Sequence, residues 1–249
     1  MNKIIQGNCL EVMKEIPDKS VDMILADLPY GTTACKWDTI IPFEPLWEQY
    51  KRIIKDNGAI VLTASQPFTS ALVMSNPDWF RHEWIWEKER GANFLQGNKQ
   101  PLKVHENVVV FGKMCPLYYP QKTINPNKQS IPNRINNTPK RIEAGLSVKS
   151  FKSSDKYDKL MLLPRSIQRF VRDIPKGGTL HPTQKPVALF EYLIKTYTNE
   201  GDIVLDNVAG SGTTGVACQN TNRNYILIEK EPEYIDIINK RLSNLSPNK

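Results

Sequence analysis

Residues 203–229 constrain the fold of this chain more than any other segment. They join a short apolar run, 203–206, to a glycine-rich turn, a helical stretch and a second apolar run that ends at Glu229. Short apolar runs of this kind are typical of buried parallel strands, and parallel strands are usually connected through a helix. The segment therefore predicts a parallel α/β sheet with a ligand site beyond the ends of its strands.

The glycine-rich turn favours a nucleoside ligand. Gly210 and Gly212 permit a tight turn and a close approach of the backbone, and the following helix offers free N–H groups. Glu229 stands where carboxylates accept hydrogen bonds from ribose hydroxyls. The G-x-G-x-x-G spacing, completed by Gly215, also fits a nicotinamide dinucleotide, but only 34 residues follow Gly215, and dinucleotide folds place this turn first. A tight turn without a ligand is the other alternative.

A second turn, Asp27-Leu28-Pro29-Tyr30, follows the apolar run 21–26. Parallel strands end at the same edge of a sheet, so this turn is expected beside the glycine-rich one. Pro29 favours an extended Leu28, whose carbonyl can then lie beside the Asp27 carboxylate. Two acceptors and the flat ring of Tyr30 suit the exocyclic amino group of a heteroaromatic base. An ordinary turn with a buried tyrosine is the alternative.

Charge is concentrated in one internal block. Residues 113–178 hold 14 lysines and arginines against 4 acidic residues, whereas the rest of the chain holds 19 basic and 22 acidic residues. The block is too long for an ordinary connection, and within it only 160–172 has a helical pattern. A local excess of this size indicates a polyanionic partner, most simply nucleic acid. A solvated loop that keeps the protein soluble is the competing interpretation.

Elsewhere the apolar periodicity alternates between strands and helices. The expected strands are 3–6, 21–26, 59–63, 80–88, 105–112, 203–206 and 225–229, and the expected helices are 9–16, 43–55, 67–75, 186–197 and 232–242. This alternation predicts a mostly parallel sheet with helices on both faces. Scattered cysteines argue against a metal or disulfide framework, and no apolar run suits a membrane span or secretory signal, so a cytoplasmic protein is expected.

The motifs together resemble those of the amino-group DNA methyltransferases. Residues 27–30 are similar to the family's Asp-Pro-Pro-Tyr motif, residues 206–214 to its S-adenosylmethionine motif, and residues 181–186 (His-Pro-Thr-Gln-Lys-Pro) to the segment that precedes it. The catalytic motif comes first and the cofactor motif last, which is the β-class order. The resemblance implies a Rossmann-like α/β fold with a mostly parallel seven-stranded sheet and circularly permuted motifs. It covers nearly all of the chain outside 113–178.

The resemblance also implies domains and partners. Residues 1–112 and 179–249 would form the catalytic and cofactor-binding domain, and 113–178 would be an inserted target-recognition region that binds double-stranded DNA. A homodimer and a cognate restriction endonuclease are partners that the resemblance leaves open. The residues expected to contact nucleic acid are Lys140, Arg141, Arg165 and Arg169.

Site roles follow from the same resemblance. Asp27 and the Leu28 carbonyl would hold the target amino group, and Tyr30, after Pro29, would stack on the flipped base. Glu229 would hold the ribose, and Thr183 and Lys185 would lie near the methionine carboxylate, although Lys185 could equally be a solvated surface residue. The full set implied for S-adenosylmethionine is Asn8, Asp27, Thr183, Lys185, Asp206, Val208, Ala209, Gly210, Ser211, Gly212, Thr213 and Glu229.

Three positions depart from the family pattern. Leu28 replaces the first proline, but the chemistry needs only its carbonyl. Val208 stands where the family usually has phenylalanine, and Asn8 where it usually has an aspartate near the adenine of the cofactor. An amide still accepts a hydrogen bond from that adenine. We therefore expect cofactor binding to be weakened but not lost.

The sequence therefore predicts a site-specific DNA methyltransferase that acts on the N6 amino group of adenine. In the family an acidic first motif residue favours adenine and a serine favours cytosine. Cytosine-N4 methylation is the nearest alternative. A catalytically inactive DNA-binding protein on the same fold and a nicotinamide oxidoreductase are alternatives from other classes.

Overall fold

The computed structural model describes residues 2–32, 38–125, 161–172 and 184–244. Contacts divide the chain into two compact units. The first comprises Met1–Tyr119 with Arg165–Lys249, and the second is Pro120–Pro164. Among the described residues, no helix has the length and apolar character needed to cross a membrane.

Ten strands and six helices make up the described chain. The strands are β1 (Lys3–Gln6), β2 (Val21–Ala26), β3 (Ile54–Ala64), β4 (Phe80–Ala92), β5 (Lys103–Phe111), β6 (Thr123–Ile124), β7 (Met161–Leu162), β8 (Ile167–Arg169), β9 (Ile203–Asp206) and β10 (Asn224–Glu229). The helices are α1 (Cys9–Val12), α2 (Phe43–Ile53), α3 (Phe68–Ser75), α4 (Val187–Tyr197), α5 (Thr213–Asn220) and α6 (Pro232–Ser243).

Eight strands form the sheet of the first unit, in the order β1-β10-β9-β2-β3-β5-β4-β8. All neighbouring pairs are parallel except those of β5, which runs antiparallel to both β3 and β4. In the second unit, β6 and β7 form an antiparallel pair. The predicted α/β class and mostly parallel sheet are confirmed.

Alternation along β2 explains the layering. Met23 and Leu25 face a core formed with α4, α5 and α6, whereas Ile24 and Ala26 face a second core formed with α1, α2 and α3. Successive side chains of a strand point to opposite faces, so an entirely apolar strand requires a helical layer on each side. This arrangement leaves the carboxyl ends of β2, β9 and β10 at one edge of the sheet.

Two expectations about strands and helices were wrong. The sheet has eight strands rather than seven, because Ile167–Arg169 adds to the edge and pairs with Ile85–Glu87 of β4. The short helix expected within 160–172 is absent from the described part of that segment, residues 161–172, which holds β7 and β8. Pro164 lies between these strands, and a proline in a helix interior removes a hydrogen bond and clashes with the preceding turn.

Candidate functional site

The two predicted turns line one cavity of about 620 Å³. β2 and β9 are adjacent, with Ile24 opposite Leu205, so the turns that follow them meet although they are some 180 residues apart in sequence. Most of the predicted site residues line this cavity: Asn8, Asp27, Leu28, Pro29, Tyr30, Lys185, Asp206, Val208, Ala209, Gly210, Ser211, Thr213 and Glu229.

Gly212 is not among the lining residues but shapes the turn from behind. Its φ of 79° lies in the left-handed region, and a Cβ at this position would come within 3.0 Å of the Ile238 side chain. Only glycine satisfies both conditions without strain. Gly212 thus begins α5 and allows the Ser211 and Thr213 backbone to follow the cavity wall.

The Asp27 carboxylate receives three side-chain donors. Its Oδ1 accepts hydrogen bonds from the Tyr30 hydroxyl, at 2.7 Å, and from the Thr63 hydroxyl. Its Oδ2 accepts one from the Lys185 ammonium at 2.6 Å. The side chain is still 22% exposed, and a carboxylate has about four acceptor positions, so one remains for a ligand.

Lys185 connects Asp27 to a second carboxylate. The Lys185 side chain is 6% exposed, and its Nζ lies 3.3 Å from Oε2 of Glu106, which also pairs with Lys88. Burial alone would lower the pKa of Lys185, but the two carboxylates raise it above its usual value. The alternative of a solvated Lys185 is therefore wrong. Asp27, Lys185, Glu106 and Lys88 form a charge chain in which cations and anions alternate.

Burial and the two neighbouring lysines shift the pKa of Glu106 in opposite directions. Burial alone would raise the pKa of Glu106, but Lys185 and Lys88 hold it below its usual value. Within the described part of the chain, Glu106 Oε2 nevertheless makes no hydrogen bond of good geometry. The charge chain thus keeps an ionised but incompletely satisfied carboxylate at the cavity wall.

Two neighbouring side chains hold the Tyr30 ring in place. It stacks on Phe68 with centroids 5.2 Å apart, and the Lys185 Nζ lies 5.6 Å from its centroid. Burial, with the nearby carboxylates of Asp27 and Glu106, raises the pKa of the Tyr30 hydroxyl well above its usual value. The hydroxyl therefore stays protonated and holds Asp27.

Asp38 holds the backbone of Gly31 and Thr32, the two residues that follow Tyr30. Its two carboxylate oxygens accept hydrogen bonds from the backbone N–H groups of Gly31, at 2.8 Å, and Thr32, at 2.9 Å. Asp38 is 8% exposed and lines the cavity. These bonds therefore fix the two residues directly after Tyr30.

At the other end of the cavity, Glu229 is held by the backbone. Its Oε2 accepts a hydrogen bond from the Gly210 N–H at 2.7 Å, and its Oε1 accepts one from the Glu231 N–H at 2.9 Å. Burial raises the pKa of Glu229 above its usual value. Each oxygen keeps a further lone pair, so the carboxylate can accept two more hydrogen bonds from a ligand.

Asp206 is likewise satisfied by neutral donors from its own turn. Its Oδ1 accepts from the Val208 N–H at 3.1 Å, and its Oδ2 accepts from the Thr214 hydroxyl. Burial raises the pKa of Asp206 to about 7. Among the described residues, no cation forms an ion pair with either Asp206 or Glu229.

Three amides line the cavity between these two ends. Asn8 Oδ1 caps α1 by accepting from the Leu10 N–H at 2.9 Å, and Asn207 Oδ1 accepts from the buried Tyr50 hydroxyl at 2.6 Å. Asn207 Nδ2 and Gln184 Oε1 are buried, and neither has a hydrogen-bond partner among the described residues. Because buried polar atoms are rarely left unpaired, these two indicate where a polar ligand completes the cavity.

The remaining predicted residues fall into two groups: those outside the described residues, and those described on the surface. Thr183, Lys140 and Arg141 lie outside the described residues. Arg165 and Arg169 are exposed on or beside the edge strand β8 and do not line the cavity.

Several polar residues of the site were not among the predicted ones, and four of them surround Asp27 and its neighbours: Asp38, Thr63, Lys88 and Glu106. Thr63 and Glu106 lie within strands whose apolar pattern gave no sign of a functional role. Lys88 belongs to Trp86-Glu87-Lys88, a stretch that resembles a minor family motif interpreted as packing. Trp86 does pack, with its Nε1 donating to the Phe170 carbonyl at 2.9 Å, but Lys88 also joins the charge chain.

Comparison with known proteins gives consistent matches. A family model described as "DNA methylase" matches residues 21–240. The Type II methyltransferase M.HinfI of Haemophilus influenzae is 29% identical over 283 aligned positions, which span all of this chain and 70% of that protein.

Two solved structures extend the comparison. The crystal structure of the M1.HpyAVI–SAM complex is 26% identical with a TM-score of 0.63, covering 97% of this chain and 99% of that one. The PvuII DNA methyltransferase (cytosine-N4-specific) is 17% identical with a TM-score of 0.67, covering 100% and 88%, and shows a shared fold.

Proposed function

Because the chain belongs to the DNA methylase family, which establishes methyl transfer from S-adenosylmethionine to DNA, we propose that its target is the N6 amino group of adenine. The observation that carries the choice is the acidic first residue of the catalytic turn, Asp27, which lies in the cavity and keeps an acceptor position free. Cytosine-N4 is the second candidate, since it presents a similar amino group.

The cofactor end of the cavity fits S-adenosylmethionine. The cofactor carries a sulfonium and an ammonium, and Asp206 and Glu229 are buried carboxylates that only neutral groups contact among the described residues. The unpaired Asn207 Nδ2 offers a donor beside them. We assign the ribose hydroxyls to Glu229 and the methionine end to Asp206 and the turn of Gly210. Once bound, the cofactor supplies an activated methyl group.

Asp27 acts on the amino group. The lone pair of an exocyclic amino nitrogen is delocalised into the base ring, so the nitrogen is a poor nucleophile. Hydrogen bonds from both amino hydrogens, one to Asp27 and one to the Leu28 carbonyl, favour a tetrahedral nitrogen. As the new N–C bond forms and the S–C bond breaks, the nitrogen gives up one proton, and Asp27 is the neighbouring acceptor. Positioning supplies much of the remaining rate enhancement.

Tyr30 receives the flipped base. Extruding a base from the helix costs a few kcal/mol, and stacking on an aromatic ring returns about 1–3 kcal/mol. The contact with Phe68 and the hydrogen bond to Asp27 hold the ring in place before the base arrives. Stacking and hydrogen bonding therefore act on the base together.

Lys185 and Glu106 are positioning residues in this scheme. Lys185 orients Oδ2 of Asp27, and Glu106 gives the buried ammonium a second anion. When Asp27 takes the amino proton and becomes neutral, Lys185 still faces a carboxylate. Removing one partner of a buried ion pair is costly because it leaves a charge uncompensated, and Glu106 prevents this.

We assign DNA binding outside the cavity to the basic block 113–178. The exposed Arg165 and Arg169 support this within the described residues. Each phosphate contact reduces log affinity by about 0.9 per unit of log salt, so charge reversal at Lys140 and Arg141 should weaken DNA binding and flatten that slope. S-adenosylmethionine binding should be unchanged. Unaltered DNA affinity in this variant and in Arg165→Glu/Arg169→Glu would favour the solvated-loop interpretation.

One experiment tests target base and sequence together. The protein is expressed in a host whose DNA is free of methylation, and that DNA is read by modified-base sequencing. N6-methyladenine at one recurrent site is expected, with none in cells expressing Asp27→Ala. N4-methylcytosine would establish the second candidate, and unmodified DNA from an expressed, folded protein would contradict both. A homodimer and a cognate restriction endonuclease stay predictions.

A further inference from the structure

The loop between β4 and β5, residues 93–102, carries two strongly exposed apolar side chains. Phe94 is 75% exposed and Leu95 is 88% exposed, and we call this pair the apolar tip. Large apolar side chains grouped in solvent indicate an interaction surface more often than chance. The core of the first unit does not bury either residue.

The apolar tip is held in place by hydrogen bonds of its own loop. Asn93 adopts a left-handed conformation with φ of 58°, and its carbonyl and side-chain oxygens accept from the N–H groups of Gln96, at 2.8 Å, and Lys103, at 2.9 Å. The Gly97 N–H donates to the Phe94 carbonyl at 3.1 Å. The loop thus presents the tip on a closed helical turn, which reduces the entropy lost when a partner binds.

The loop begins and ends at the cavity. Ala92 and Lys103, the two residues that flank it, line the same cavity as Asp27 and Tyr30. Leu95 is three residues beyond Ala92, so their Cα atoms are at most about 11 Å apart. The apolar tip therefore lies within about 11 Å of a residue of the cavity wall.

The residues near the apolar tip in sequence are mostly basic, which favours a negatively charged partner. Arg90, Lys99 and Lys103 are basic, and the one acidic residue between 88 and 103 is Glu89, which pairs with Arg172 at 3.5 Å. Two copies of the chain related by a twofold axis would bring this basic surface against itself. A polyanion is attracted instead, and apolar side chains surrounded by basic ones are typical of proteins that wedge between stacked bases.

We propose that the apolar tip inserts into duplex DNA beside the target base and fills the gap that the flipped base leaves. The inference rests on the proposed function, because only an extruded base creates that gap. Phe94 and Leu95 would replace lost stacking, while Arg90, Lys99 and Lys103 would face phosphates. The tip would then promote base flipping without taking part in methyl transfer.

The test compares Phe94→Ala/Leu95→Ala with wild type on two duplexes. Both contain the site identified by modified-base sequencing with 2-aminopurine at the target position. One is fully paired, and the other has an abasic position opposite the target, so its base is already loosened. We expect the variant to lose roughly tenfold or more in DNA affinity and flipping fluorescence on the paired duplex, and to lie within about threefold of wild type on the abasic duplex.

Two controls separate this role from others. Met74, 72% exposed, lies near the end of α3 outside the basic block, and Met74→Ala should behave as wild type on both duplexes. Phe94→Trp should keep paired-duplex binding, because a larger ring still fills the gap. S-adenosylmethionine affinity measured by calorimetry verifies that each variant is folded.

Three results would overturn the proposal. Wild-type behaviour of the double alanine variant on the paired duplex would exclude the wedge. Equal losses on both duplexes would show contact with DNA but no gap filling. A changed oligomeric state without DNA, measured by sedimentation, would make a second copy the partner. If wild type modifies no DNA in the sequencing experiment, the proposed function fails first, and the wedge fails with it.

Discussion

The two ends of the cavity hold carboxylates in opposite electrostatic settings. Asp27 and Glu106 are interleaved with the ammonium groups of Lys185 and Lys88, which keep the pKa of Glu106 low. Asp206 and Glu229 receive only backbone N–H groups and a hydroxyl among the described residues, and burial raises the pKa of both. The catalytic end thus carries its own counter-charges, whereas among the described residues no cation forms an ion pair with either carboxylate of the cofactor end, and a positively charged ligand would supply one.

Asp27→Ala should break the catalytic end and leave the cofactor end intact. Turnover should fall by on the order of 10²–10³, the usual cost of losing a transition-state hydrogen bond of this kind. S-adenosylmethionine affinity, measured by calorimetry, should stay near wild type. Asp18→Ala, at a carboxylate that is 72% exposed, is the matched control and should leave turnover unchanged. Near-normal turnover of pure Asp27→Ala protein would remove Asp27 from the mechanism.

Glu229→Ala should weaken cofactor binding and leave the catalytic end intact. Losing hydrogen bonds to a charged acceptor costs about 1.5–3 kcal/mol, so the Kd for S-adenosylmethionine should rise by roughly 10- to 150-fold. Turnover at saturating cofactor should change much less. Glu233→Ala, an exposed position in the first turn of α6, provides the control. Unchanged affinity in a folded Glu229→Ala protein would contradict the ribose assignment.

Glu106→Gln sharpens the comparison within the catalytic end. Lys185 would lose one of the two carboxylates that raise its pKa, so the alkaline limb of the pH–rate profile should move to lower pH. We expect turnover at neutral pH to fall by about three- to tenfold, with cofactor affinity unchanged. The control is Glu83→Gln, at an exposed residue of β4. An equal fall in rate at every pH, with the alkaline limb of the profile unmoved, would indicate that Glu106 has only a structural role.

Asp206→Asn should remove a pH dependence of stability at the cofactor end. The pKa of Asp206 in the folded protein is about 7, against 3.8 for an ordinary aspartate, so the folded state binds more protons between these values. Stability contributed by this group therefore decreases as pH rises from about 4 to 7. Thermal melts of the ligand-free proteins should show wild type losing a few degrees relative to Asp206→Asn between pH 5 and 8. Parallel curves would contradict the raised pKa.

Local sequence predicted the cofactor end better than the catalytic end. The turn at Gly210 and the acid at Glu229 lie within one strand-helix-strand unit, so periodicity and glycine spacing are enough to identify them. The catalytic turn was identified by Asp27 and Tyr30, but its charge chain depends on β5 and on the segment before α4. From sequence alone, Lys185 could be either solvated or buried. Only the pairing of distant strands places Glu106 and Asp27 beside it.

Local sequence also failed to predict the edge strand β8, because its structure depends on pairing with a distant strand. Residues 161–172 have a weak periodicity that suits a helix as well as a strand. Pairing with β4, including the hydrogen bond from the Ile85 N–H to the Ser166 carbonyl at 2.8 Å, decides between them. Such tertiary pairing routinely overrides local propensity.

The position of β1 has a consequence for the way the chain reaches its active form. β1 pairs only with β10 in the sheet order, Lys3 opposite Ile226, and the Gly7 N–H donates to the Glu229 carbonyl at 2.9 Å. Contacts between such distant residues close long loops, which slows folding. During synthesis on the ribosome, β1 stays unpaired until residues 224–229 of β10 have emerged. A shorter nascent chain therefore contains the Asp27 turn but lacks the strand that carries Glu229, so the two ends of the cavity form only after β10 has been made.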